Sequence, residues 1–484
     1  MSTSIQAVVG DSKPIVLEVG SDWDWSRIDA EMEVFCRWLA AALLSELLAQ
    51  KDDELARVVP AGWENRGKEG RELLTSVGYI RMERRVYRDE DGCRHKPLDE
   101  ALGLGRYQRI SSHVKRVGAY LASHATYRVS AEMLGERIGE VVTPTRIQRI
   151  VWTVGEALDA EEAAEREAVF ERGAGLGGGE VEAPVLFGES DGTQISLQRE
   201  GSRRKIEARI GVMYKGKTPI GKGRRVLKDK VAVTALVGSS EEWQEMLLKA
   251  AHSYYDLEST KLLVVGGDGA EWVRHSFDRL EVPALFQLDP YHLYRAARRV
   301  GGTCQAEMTG LVKRARVEGF AAIEAELRTL TMSRQGRERE KAYQFYGYLE
   351  KNQDGLVGWG RQLGLADGEW SGLGVIEGNV DKLVVRRMKG RGMSWRIPGA
   401  SSMLALCRHR AKLRERAFTI PVVSPFKERS SSPRRSRRSR QRDADWLRHD
   451  VPIIHSHFEN DPEVQWLRRR INGEPILSFP TPSP

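Results

Sequence analysis

The chain has 484 residues, 40% hydrophobic and 30% charged, with a net charge of +8 and a pI near 9.2. That balance excludes a disordered or fibrous protein, leaves length for about three domains, and leans toward a polyanionic partner, nucleic acid before membrane. Cys36, Cys93, Cys304 and Cys407 lie far apart without a C-x-x-C pair, and the C-x-H pair Cys93/His95 has no second pair at ligand spacing. A disulfide framework and a zinc ribbon are thereby excluded, and a reducing cytoplasm fits.

The opening residues lack a basic segment followed by a long apolar core, and the greasiest run, "WLAAALLSELLA", is broken by Ser45 and Glu46. A soluble, cytoplasmic protein with no membrane contact is expected. Residues 25 to 58 carry Ile28, Met32, Phe35, Leu39, Leu43 and Leu47 at three- and four-residue steps, a helix that Pro60 and Gly62 end. Val77, Tyr79 and Met82 to Tyr87 then have strand character, with a hairpin turn at Asp91-Gly92. Residues 111 to 158 are helical in pattern. Within them, Ser130 is placed to cap one helix that Gly139 ends, and Thr143-Pro144 to start a second. This resembles a helix-turn-helix, with Arg146 and Arg149 outward and Ile147, Ile150 and Val151 inward; an ordinary helical hairpin fits the pattern equally.

After the glycine-rich "RGAGLGGGE" the texture changes. Three strand candidates, "PVLFGESDGTQISLQ", "KIEARIGVMY" and "KVAVTALVG", are followed by a helix, the strand "KLLVVGGDG", a second helix and the strand "PALFQLD". A three-strand meander followed by alternating helix and strand is the layout of an α/β ribonuclease H-like domain. The stretch "GVMYKGKT" fits the P-loop pattern by letter, yet Pro219, Gly221 and Gly223 forbid the helix that phosphate binding needs, so a hairpin is expected.

The expected organisation is therefore an N-terminal helical region (1–60), a hairpin and helix-turn-helix-like DNA-binding region (61–172), and a linker (173–182). A catalytic domain follows (183–300), interrupted by a helical insertion (301–370) and completed by 371–417. A basic Ser/Arg-rich tail (418–484) ends the chain; "KERSSSPRRSRRSRQR" within it is low complexity.

Three acidic residues occupy matching places in this layout: Asp191 in the first strand, Asp268 at the end of the fourth, and Glu377 at the start of a late helix. Singly, each has a bland explanation. Asp-Gly is a favoured turn pair, and a glutamate at a helix start complements the dipole. Together they sit where such a sheet gathers its carboxylates, and carboxylates plus water and phosphate oxygens suit Mg²⁺.

At this level of detail the sequence resembles the DDE transposases of bacterial insertion sequences, of the ISLre type. The resemblance rests on "DGTQISLQ", "GGDGAEW", "LDPYHL" and the long "EGNVDKLVVRRMKGRGMSWRIPGASSML". Near the amino end it adds "GWENRGKEGRELLTSVGYIRMERRVYRDEDG" and "LDEALGL", so it covers roughly residues 60 to 410. It implies Asp191, Asp268 and Glu377 as a catalytic, metal-holding triad for Mg²⁺, with Mn²⁺ as a substitute. It also implies Asp289 and His292 as a D-x-x-H motif ahead of a helical insertion, although a core histidine on a short helix is the plain alternative for His292. Arg386, Arg387, Lys389 and Arg391 are then expected to meet the DNA backbone near the metals, at least one of the four being only solvated. The implied partners are element terminal inverted repeats and target DNA, bound by a homodimer or larger assembly in the bacterial nucleoid. The rival expectations are a structure-directed nuclease of the same fold and a non-catalytic DNA-binding regulator.

Overall fold

The computed structural model describes residues 3–9, 14–19, 24–175, 178–200, 203–221, 224–300, 305–367 and 369–420. Most of the expected basic tail, from 421 on, lies outside the described residues, as do linker residues 176 and 177.

The chain starts with an antiparallel pair, β1 (Thr3–Ala7) and β2 (Ile15–Val19), and a long helix α1 (Trp25–Ala56). A three-stranded antiparallel sheet follows: β3 (Glu64–Thr75), β4 (Gly78–Arg88) and β5 (Arg94–His95). In β4 the inward positions Ile80, Met82, Arg84 and Val86 alternate with exposed Tyr79, Arg81 and Glu83, as pleating requires. The inward Arg84 is tolerated because its Nε donates to Asp99 Oδ2 at 2.9 Å, and buried Arg71 shares the same carboxylate. Asp99 belongs to α2 (Pro97–Ala101).

Helices α3 (Ser112–His124), α4 (Tyr127–Ile138) and α5 (Pro144–Phe170) come next. The cap of α4 is Thr126 rather than the expected Ser130, which is buried one turn inside. Gly139 ends α4 at φ 69°, and Thr143 with Pro144 starts α5. Ile147, Ile150 and Val151 face inward as the spacing predicts, but α5 continues to Phe170, well past the expected end.

A short β6 (Val181–Glu182) precedes the central sheet, built from β7 (Val185–Glu200), β8 (Arg203–Tyr214), β11 (Val231–Ala235), β13 (Leu262–Gly267) and β14 (Ala284–Leu288). A side hairpin, β9 (Gly216–Gly221) with β10 (Arg224–Lys228), occupies the P-loop-like stretch, and no helix follows it. The sheet order is β11-β8-β7-β13-β14; the first three strands are antiparallel, and β13 is parallel to both its neighbours. Helix α6 (Ser240–His252) and the two-residue β12 (Tyr255–Asp256) connect β11 to β13, and α7 (Glu271–Arg274) precedes β14. Successive residues of β8 feed two cores: Ile210, Val212 and Tyr214 join one, while Met213 joins Trp243 and Leu247 of α6 on the other face.

Beyond the sheet, α8 (Pro290–Val300), α9 (Gln305–Glu318), α10 (Glu324–Met332) and α11 (Gly336–Lys351) form a helical subcluster with its own core, including Leu293, Met308, Leu311, Leu327 and Leu349. After α12 (Trp359–Gln362), the chain returns to the sheet through α13 (Ile376–Val380), a π-helical turn at Asp381–Val385, and α14 (Arg386–Met388). Helices α15 (Ile397–Arg408) and α16 (Arg410–Arg414) close the described fold.

The glycine-rich linker does not divide two independent cores. One apolar cluster includes Val154 and Leu158 of α5, Ile210 of β8, Val380 of α13 and Leu404 of α15. A Cβ on Gly155 of α5 would lie 2.5 Å from Ser402 Cα of α15, so only glycine permits this approach. Arg408 of α15 bridges the same helices through Asp159 and Glu162 of α5.

Candidate metal centre

The register of three neighbouring strands brings three aspartates to one edge. Gly266 of β13 pairs with Glu189 of β7, so Asp268 and Asp191 each follow by two residues. Gly267 pairs with Leu288 of β14, and the next residue, Asp289, donates its N–H to Gly267 O at 2.8 Å. Each aspartate is also fixed locally. Asp191 Oδ1 accepts Gly192 N–H at 2.7 Å, Asp268 Oδ1 accepts Ala270 N–H at 2.9 Å, and Asp289 Oδ1 accepts Tyr291 N–H at 3.0 Å. These local bonds are the bland turn contacts expected of Asp at such positions. They leave the second oxygens uncommitted.

Glu377 on α13 and His292 on the first turn of α8 complete the group. Ligand atoms of Asp191, His292 and Glu377 all lie within 4.8 Å of one another. Asp268 and Asp289 stand in the same electrostatic neighbourhood. Burial pushes Asp191 from its ordinary 3.8 up to about 6, and the carboxylates of Asp268 and Glu377 add to the rise. The Gly192 amide and His292 oppose it. Burial likewise raises Asp289, reinforced by Glu377 and Asp268. His292 is therefore not a core histidine: it is half-buried and faces carboxylates, with Nε2 3.8 Å from Asp289 Oδ2. Both of those atoms are buried without a hydrogen-bond partner among the described residues. An orphaned carboxylate oxygen among other carboxylates is what a divalent cation would satisfy, and the carboxylates of this group fit a hard ion such as Mg²⁺ or Mn²⁺.

Two features that the sequence reading did not identify hold this centre in place. The first is Glu189, fully buried on β7 and on the same strand face as Asp191. Its Oε2 accepts the N–H groups of Gly374, Val375 and Ile376 at 3.0, 2.9 and 3.1 Å, and its Oε1 accepts the Tyr214 hydroxyl at 2.7 Å. Burial pushes this carboxyl up, while the Tyr214 hydroxyl, nearby Lys217 and the Ile376 and Gly374 amides oppose the rise. An acidic residue just after the apolar run Val185–Phe187 of a central strand is the signal that marks it. The second is the helical insertion. Tyr348 of α11 donates its hydroxyl to Asp268 O at 2.8 Å, and Asn352 packs over Gly269, which turns the chain at φ 88°.

The four residues of the basic block stand in different environments. Arg386 is exposed but paired with Asp381 at 2.7 Å, and Lys389 is exposed with Nζ 3.0 Å from Thr193 Oγ1. Arg387 is only 4% exposed; it lies between the rings of Tyr127 and Trp395 and donates to Ala122 O. The physical reason is the π-helical turn, which rephases the helix and carries Arg387 inward. The side chain of Arg391 lies outside the described residues. Arg146 and Arg149 are remote in sequence from the centre and border a second cavity with Arg109, Lys115, Tyr79 and Tyr107. Arg146 donates to the Tyr79 hydroxyl at 2.8 Å, joining α5 to the β3–β4 hairpin.

Among the described residues no helix is long and apolar enough to cross a membrane. Residues 26–416 match the family model described as an uncharacterised protein family, UPF0236. The chain is 26% identical over 407 residues to a UPF0236 protein in the vanSb 3′ region of Streptococcus gallolyticus, covering 81% of this chain and 85% of the relative. It is 24% identical over 350 residues, 71% of this chain and 68% of the relative, to a UPF0236 protein of Caldanaerobacter subterraneus subsp. tengcongensis whose name joins many loci. A further protein of that organism is 23% identical over 350 residues, 71% of this chain and 69% of its own length. On the extent of that match, the chain belongs to the uncharacterised protein family UPF0236.

Proposed function

We propose that the chain is a DDE-type transposase of the ISLre kind, cutting at the ends of an insertion sequence and joining them to target DNA. The observation that carries this reading is the convergence of Asp191, His292 and Glu377, whose ligand atoms lie within 4.8 Å of one another, with Asp268 and Asp289 in their electrostatic neighbourhood. The sheet order and strand directions support a ribonuclease H-like architecture. A relative whose name joins many loci of one organism fits a gene that spreads copies of itself.

Asp191, Asp268 and Glu377 would hold Mg²⁺, and Mn²⁺ as a substitute. When bound, such ions lower the pKa of a coordinated water and offset charge on phosphodiester oxygens. The chain's own contribution is positional. Glu189 ties the Glu377 helix to the Asp191 strand, and His292 presents its Nε2 to the carboxylates, 3.8 Å from Asp289 Oδ2. In the first step a water oxygen bonds to phosphorus and the bond to the 3′ oxygen breaks, freeing a 3′-hydroxyl. In the second, that hydroxyl's oxygen bonds to a target phosphorus, its proton leaves, and the target's own 3′ oxygen departs. Lys389, beside Thr193 on β7, and the Arg109, Lys115, Arg146 and Arg149 group provide phosphate contacts that position the duplex without reading it. Joining two ends calls for a dimer or larger assembly.

The test uses the full chain, a DNA carrying the sequences that flank its gene, and a target plasmid with Mg²⁺. Joined products are expected, and Glu377→Gln should abolish them while binding to the flanking DNA persists. Joining by the Glu377→Gln protein sinks the assignment; cleavage without any joined product assigns a nuclease instead.

A further inference from the structure

A cavity of about 660 Å³ opens between α4, α5 and the loop that follows α14. It lies away from the carboxylate cluster but shares a strand with it: β7 carries Asp191 at the cluster and Gln198 at the cavity. Seven residues of extended chain separate the two, on the order of 20 Å. Main-chain bonds lock the far end of β7 to the loop, with Trp395 N–H on Ser196 O at 2.9 Å and Gln198 N–H on Trp395 O at 2.8 Å.

The walls are aromatic: Tyr127, Trp152 and Trp395. Tyr127 and Trp395 meet edge to face, and the Arg387 guanidinium lies 5.2 Å from both ring centroids. Arg387 is more than nine-tenths buried, and its Nη2 has no hydrogen-bond partner among the described residues. That nitrogen has essentially no accessible surface, so Arg387 gives the cavity a positive wall rather than an open donor. Gln148, one helical turn before Trp152 on α5, adds an amide that both donates and accepts.

The chemistry of the lining selects a class of occupant. An aliphatic side chain would fill the space but leave the Gln148 amide unpaired. A carboxylate or phosphate would pair with Gln148 and suit the Arg387 charge but gain little from three aromatic walls. A nucleobase does both, since every base has a π-face for stacking and ring or carbonyl acceptors at its edge. We infer that this cavity receives an unstacked nucleobase of the DNA on which the chain acts, stacked on Trp152 and Trp395 and held at its edge by Gln148, against the positive charge of Arg387. The inference rests on the transposase reading for the source of the base, though not for the chemistry of the pocket.

The experiment measures binding of the full chain, in EDTA at fixed moderate salt, to a short thymine oligonucleotide and to the same length of abasic backbone. Salt and charge are equal in the two probes, so phosphate contacts cancel. The base-bearing strand should bind about tenfold or more tightly, the usual worth of one stacked base. Trp152→Ala and, separately, Gln148→Ala should remove most of that ratio. Gln148 is half-buried on α5, so its variant guards against a result caused by misfolding. Equal affinity for base-bearing and abasic strands overturns the inference. If that equality accompanies normal joining of flanking DNA, the pocket assignment alone fails. If no DNA of any kind binds, both readings fail.

Discussion

Glu189 and Ile376 are 187 residues apart, yet the buried carboxylate of one accepts the main-chain N–H of the other at 3.1 Å. Because Gly374 and Val375 donate to the same oxygen, the start of the Glu377 helix is fastened to the strand that carries Asp191. Glu189→Ala would leave three amide N–H groups without their acceptor, at about 1 to 3 kcal/mol each. We expect a loss of at least about 3 kcal/mol in denaturant unfolding. Glu189→Gln keeps one carbonyl oxygen and should recover most of that stability, but with weakened Mn²⁺ binding by calorimetry. Unchanged Mn²⁺ affinity in both variants would show that Glu189 does not position the centre.

The carboxylate cluster should destabilise the protein when no metal is present. Asp191 has its pKa raised from 3.8 to about 6, so between those values the folded chain holds more proton than the unfolded one. Stability from this group therefore falls as pH rises from about 4 to 6 and stays low above. In EDTA, Asp191→Asn should gain stability over the parent by on the order of 2 kcal/mol at pH 7.5, with little difference at pH 4. A difference that is constant across that range would show that Asp191 does not carry the shift.

The close approach of α5 and α15 offers a separate check on the shared core. Gly155→Ala places a methyl 2.5 Å from Ser402 Cα, where backbone rather than a flexible side chain must move. A loss of about 2 to 3 kcal/mol is expected, seen as a lower denaturation midpoint with an unchanged slope. Wild-type stability would mean that the helices separate readily.

Arg149, exposed beside the second cavity, is expected to contact phosphate. Arg149→Ala should weaken binding to flanking and unrelated duplexes alike and lower the salt slope of log affinity by about one. A change confined to the flanking sequence would assign Arg149 to base reading instead.

Periodicity made much of the fold legible. The caps at Thr143-Pro144 and Gly139, the meander, and the two parallel strands each follow from local chemistry. Asp191, Asp268 and Glu377 were nameable from their places within a strand, at a strand end and at a helix start, whereas Asp289 and His292 followed from the family resemblance alone. Faces were harder. On α1, Phe35 is buried as expected, but Leu43 and Leu47 are 53% and 61% exposed. That helix rides on β4 partly through buried Asp52, which binds the side chain and amide of Arg85, and apolar spacing does not register an ionic contact. Glu189 belongs to no motif, because three of its four partners are main-chain amides and any sequence supplies those.

The π-helical turn at Asp381–Val385 has a consequence for how one helix serves two places. A single residue added to an α-helix advances everything after it by about 100°. Glu377, before the turn, faces the aspartates; Arg387, after it, faces Tyr127 and Trp395. The widened turn thus acts as a phase adjuster between two stations on one rod. Any DNA strand that engaged both would have its position at one station dictated by its grip at the other.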